Sequence, residues 1–146
     1  MDENKFWDYI SMVDSYPRPF YNKYDKEECQ SRLIKNQLIK NHTYKEVLDF
    51  DIIYNEKLND LWLPKIVELQ MVNYLSYEEL QKENLYVSND GFRDFRNYIV
   101  GLGRKEYELI KEFKTEDEIF HIDFHVNIAY RSDLEFLVGE IVESHY

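Results

Sequence analysis

Ser88-Asn-Asp-Gly-Phe-Arg-Asp-Phe-Arg-Asn-Tyr-Ile-Val-Gly-Leu-Gly-Arg104 is the stretch that decides the fold class of this chain. Ser88, Asn89 and Asp90 are three successive N-cap candidates. A short side-chain oxygen there accepts from an orphan backbone N–H, and Asp90 also suits the positive end of a helix dipole. Phe92, Phe95, Ile99 and Leu102 follow at helical spacing and share one face. Arg93, Asp94, Arg96 and Asn97 fall opposite and are assigned to solvent. Gly103 suits the left-handed residue that closes a helix. The Asn-Asp-Gly turn reads as a capped helix start, the alternative being an anion site at a helix N-terminus.

Helical spacing extends in both directions. Upstream, a first helix over about Asp2–Ser15 carries Phe6, Trp7, Ile10 and Val13 on one stripe. Pro17 and Pro19 break it, and an aromatic loop follows through Tyr24. A second helix starts near Asp25, with Cys29, Leu33, Ile34 and Leu38 inward. Thr43 and Glu46 have capping-box spacing, and Val47, Phe50, Tyr54, Leu58 and Leu61 make the cleanest apolar stripe in the chain. Pro64 suits the first turn of a new helix with Ile66, Val67, Met71, Tyr74 and Leu75 inward. Ser76 and Glu79 cap a short helix through about Asn84.

Downstream, Tyr107, Ile110 and Phe113 continue the helical period. Thr115 and Glu118 have capping-box spacing once more. The pattern then changes: Phe120, Ile122, Phe124, Val126 and Ile128 alternate with His121, Asp123, His125 and Asn127, a strand signal. A lone strand needs a partner, either Leu85–Val87 or another copy of the chain. Ser132 and Glu135 cap a last helix with Leu134, Leu137, Val138, Ile141 and Val142 apolar. The expected architecture is one mainly α-helical domain of about seven helices, with room for a short two-stranded β element near the C-terminus.

Composition narrows the function classes. The chain has 146 residues, 29 acidic against 18 basic, and a net charge of -11. That field disfavours nucleic acid and anionic membranes and permits a basic protein partner. No apolar run approaches a membrane span, and the single Cys29 forms no internal disulfide, so a cytoplasmic location is the default expectation.

The sharpest chemical candidate is His121, Asp123 and His125. On a strand these side chains project from one face, about 6–7 Å apart, with ligand types suited to zinc or another first-row metal. His145 is a candidate fourth ligand. The competing reading is the solvated face of a half-buried strand. Arg93, Arg96, Arg104 and Lys105 form the one basic concentration; pairing with Asp94, Glu106 and Glu108 is the first reading, and a site for a phosphate or an acidic partner is the alternative. There is no nucleophile elbow, no phosphate loop, and no signature around Cys29. The sequence names no cofactor.

Ser88, Asp90, Gly91, Phe92, Phe95, Gly103 and Arg104 resemble the Ser-Asp-Asp-Gly-Phe signature of the uncharacterised family called domain of unknown function 4240. Asn89 and Tyr98 depart from its Asp and Trp, while Phe6-Trp7 and Leu61-Trp62 agree with its upstream pairs. The resemblance covers roughly residues 2–114 and implies a mostly helical, intracellular bacterial domain, with no catalytic residue or ligand to carry over. The functional expectation is a non-catalytic interaction or regulatory module, in one version an immunity or antitoxin-like protein that masks a basic effector. The alternative is a metal-dependent enzyme using His121, Asp123 and His125.

Overall fold

The computed structural model describes residues 1–12, 30–74, 89–122 and 137–145. Among these residues it is all helix: α1 (Glu3–Ser11), α2 (Gln30–Asn41), α3 (Tyr44–Asp60), α4 (Pro64–Tyr74), α5 (Asn89–Gly101), α6 (Arg104–Glu112), a 3-10 turn (Glu116–Ile119) and α7 (Leu137–His145). Seven α-helices lie within the described residues, as a mainly helical reading requires.

Helix α3 starts where its capping residues place it. Thr43 is extended, and its hydroxyl accepts from the Glu46 backbone N–H at 3.3 Å. Its stripe Val47, Phe50, Tyr54 and Leu58, continued by Leu61, is buried as the spacing requires. Fully burying one such side chain stabilises by about 1.5–3 kcal/mol. Helix α1, N-capped by Asp2, lays Phe6, Trp7 and Ile10 on this core, with Phe6 4.9 Å from the Phe50 ring. Helix α7 packs against α2 and α3 through Leu137, Val138 and Ile141.

Helix α5 touches α1, α3, α4 and α6, and here the structure corrects the sequence reading. Phe92, Phe95 and Ile99 are buried as expected, but so are Arg96, Asn97, Tyr98 and Val100. The polar face assigned to solvent keeps only Arg93 and Asp94 outside. The physical reason is that neighbours on several sides supply hydrogen bonds for the polar members. Tyr54 donates its hydroxyl to Asn97 Oδ1 inside the core, and Arg96 finds a carbonyl on α3. Gly103 turns the chain into α6 at φ +103°, and an added Cβ would sit 3.3 Å from the Ser11 hydroxyl. Positive φ and close approach both call for glycine here.

Two further expectations shift. Helix α4 turns Ile66, Leu69 and Gln70 inward, while Val67 and Met71 are only partly covered. Gln70 is accommodated because its amide donates to the Gly91 carbonyl at 3.0 Å. The strand expected over Phe120–Ile128 does not begin where the alternation begins. Glu118 accepts from the backbone N–H groups of Lys114 and Thr115, which starts the 3-10 turn, and Ile122 N donates to Ile119 O at 3.0 Å to close another. Ile119 is therefore the buried residue and Phe120 is 86% exposed. The described residues contain no strand, so the β element has no support among them. Residues 123–128, the helix expected at 76–84, the aromatic loop and Cys29 lie outside the described residues.

Candidate functional site

Two polar constellations stand out, one at each end of α3. At its N-terminal end, Tyr9 from α1 meets His42, the residue after α2, and His42 meets Glu46 in the first turn of α3. His42 Nε2 is hydrogen-bonded to the Tyr9 hydroxyl and Nδ1 to the Glu46 carboxylate. A neutral imidazole satisfies both contacts at once, with Nδ1–H donating to the carboxylate and Nε2 accepting the phenolic proton. Burial pushes the Tyr9 phenol above its ordinary pKa, partly offset by a hydrogen bond with Asn41, so the proton stays on Tyr9 at neutral pH. The hydrogen bond to His42 holds the Glu46 carboxyl below its usual range. Asn41 in turn donates to Gln37 Oε1 at 2.9 Å. The result is a relay Tyr9–His42–Glu46 with the Asn41–Gln37 pair beside it. It backs a cleft of about 220 Å³ lined by Lys5, Asp8, Tyr9, Met12, Gln37 and Asn41.

At the C-terminal end of α3, Tyr107 donates its hydroxyl to the Lys57 carbonyl at 2.8 Å and Arg96 Nη1 donates to the Leu58 carbonyl at 3.2 Å. A cation is favoured here by the helix dipole as well as by the orphan carbonyls. Burial, then the carboxylates of Asp60, Glu3 and Glu108, push the Tyr107 phenol up, so it remains a donor. The Arg96 guanidinium lies 4.5 Å from the Trp62 ring centre and 4.7 Å from that of Phe92, and the two rings meet edge to face at 5.4 Å. Arg96 is 4% exposed, yet Trp62 beside it is 62% exposed. A large indole is thus held by fixed neighbours with much of its surface in solvent.

The residues singled out from sequence are placed as follows. Asp90 is exposed, Phe92 and Phe95 are core, and Gly91 offers its carbonyl to Gln70. Arg104 pairs with Glu108 at 3.1 Å, as its i,i+4 spacing predicts, and also donates to Asn4 Oδ1. His121 is exposed after the 3-10 turn. Ser88, Asp123, His125 and the side chain of His145 lie outside what is described. Among the described residues, no group of three His, Cys, Asp or Glu side chains is placed to hold a metal ion. Sequence reasoning missed both constellations at the ends of α3. His42 followed by the Thr43 cap and Glu46 was a usable local signal; Tyr9, 33 residues earlier, was not.

Fold and site together define a mainly helical protein whose central helices are braced by buried polar side chains. Residues 1–117 match the family of proteins of unknown function DUF4240, and the chain belongs to that family. The match has nearly the extent that the Phe-Trp, Leu-Trp and Gly-Phe signatures imply. No curated protein and no solved structure is similar enough to match. Among the described residues, no helix is long and apolar enough to cross a membrane.

Proposed function

We propose that this protein is a non-catalytic interaction module that docks a basic protein partner, with Trp62 as the anchor. The observation that carries the reading is a solvent-facing indole packed against Arg96 and Phe92. Exposed tryptophan is costly to keep in water, and here Arg96 and Phe92 hold it in one orientation. Tryptophan and arginine are the residue types that dominate binding energies, and an anchor ordered in advance loses little entropy on docking. The net charge of -11 favours a basic partner, whose own lysine or arginine can stack on the open part of the indole. An immunity or antitoxin-like protein that masks a basic effector in the cytoplasm is the specific version of this reading.

The test is capture of partners from the native host with wild type and Trp62→Ala, followed by titration of any purified partner. The expected result is a basic protein whose affinity falls by about thirtyfold or more in Trp62→Ala and declines with added salt, while the circular dichroism spectrum is unchanged. A partner bound equally well by Trp62→Ala, or an acidic partner, overturns the proposal.

A further inference from the structure

We infer that the cleft between α1 and α2 is a binding site for a small zwitterion of the free α-amino-acid class. The site is separate in kind from the Trp62 anchor. Four features carry the inference. Lys5 and Asp8 stand on one side of α1, three residues apart, at the mouth of the cleft. Neither is engaged in an ion pair among the described residues, although Lys57, Lys111, Arg104 and the N-terminal ammonium all are. The lining therefore includes one cationic and one anionic side chain, with the Lys5 ammonium 5.5 Å from the Tyr9 ring centre.

Several lining side chains are already hydrogen-bonded. Asn41 donates to Gln37, and on the other side Tyr9 is hydrogen-bonded to His42 and His42 to Glu46. Bonding of this kind leaves few rotamers to be frozen when a ligand arrives, which is the condition for useful affinity at a small site. Gln37 Oε1 accepts from Asn41, so what this side chain has to offer a ligand carboxylate is its amide N–H groups.

Charge selects the ligand class. A free anion approaches a protein of net charge -11 against the overall field, and a free cation leaves Lys5 opposed. A zwitterion has no net charge and places its carboxylate on Lys5 and its ammonium on Asp8. Size selects the rest. A cleft of about 220 Å³ is below the usual range for drug-sized ligands and suits a molecule of roughly ten heavy atoms. The Met12 thioether gives an adaptable apolar contact for a side chain.

The experiment is saturation-transfer NMR on the full chain with each common α-amino acid in turn, then titration of those that bind. At least one is expected to bind with Kd of about 1 mM or tighter. Its N-acetyl and methyl-ester derivatives, each lacking one pole, are expected to bind at least about tenfold more weakly. Lys5→Gln and Asp8→Asn, both at exposed positions, are expected to do the same, and Glu68→Gln, exposed on α4, to leave binding unchanged. No transfer from any amino acid at about 10 mM overturns the inference. So does binding that survives removal of either pole, from ligand or protein. Since Trp62 takes no part, a failed partner assay and a failed ligand assay report on different surfaces.

Discussion

The two ends of α3 solve one problem in opposite ways. A helix leaves backbone donors open at its start and acceptors open at its finish. At the start, the answers come from residues beside it in sequence: Thr43 supplies the capping oxygen, and Glu46 and His42 pair across one turn. At the finish, the answers come from α5 and α6. Arg96 and Tyr107 reach carbonyls 38 and 50 residues earlier, and both side chains are buried in doing so. The near solution is half-exposed and adjustable; the far one is locked into the core. This difference implies that the C-terminal end of α3 bears more of the stability and that its N-terminal end is freer to respond to ligand or pH.

The largest effect is expected at the buried end. Arg96→Ala removes a charge-assisted hydrogen bond, leaves part of the Leu58 carbonyl's demand unmet and opens space beneath Trp62. A loss of about 3 kcal/mol in urea unfolding is expected. A loss below about 1 kcal/mol would show that the two ends of α3 are braced equally, contrary to the comparison.

A smaller effect is expected at the exposed end. Thr43→Ala removes the capping oxygen and is expected to cost about 1 kcal/mol by the same measurement. Hydrogen exchange sharpens the contrast: amides in the first turn of α3 are expected to lose protection in Thr43→Ala while those near Leu58 keep theirs.

The smallest effect concerns pH. The Glu46 carboxyl is held below its ordinary value by His42, so its contribution is present above that value and is lost as pH falls through the lowered one. Glu3, held down first by Lys57, and Asp49, held down first by the N-terminal ammonium, act with the same sign. Asp51, pushed up by burial, acts in the opposite sense. Unfolding midpoints measured from about pH 6 to pH 3 are expected to fall for wild type and to fall less steeply for Glu46→Gln. Superimposable curves would mean that Glu46 and His42 are not coupled in solution.

Much of the fold was legible because it is local. Thr43, Pro64 and Asp2 start helices by satisfying, or by not needing, backbone groups within their own turn. The stripe from Val47 to Leu61 buries the residues that its spacing names. Gly103 is required by a backbone angle that other residues rarely adopt. Legibility fails wherever a third element intervenes. Arg96 and Asn97 look like solvent residues until α3 brings them a carbonyl and a tyrosine hydroxyl. Phe120 looks like the start of a strand until the turn made by Glu118 spends its geometry on Ile119 instead. The alternation of His121 with its neighbours is a pattern in one dimension, and a metal site is a convergence in three.

The amino-acid sequence alone determined that the chain is helical, where most of those helices begin, and which family it joins, because caps, periodicity and signature residues act over a few positions. Tertiary packing alone decided that Arg96 and Asn97 belong inside, that Trp62 stands braced and exposed, and that Tyr9, His42 and Glu46 form one relay beside a cleft. The reason is the cost of desolvation: a polar side chain enters a core only where another segment supplies its partner, and that meeting is a property of the folded chain.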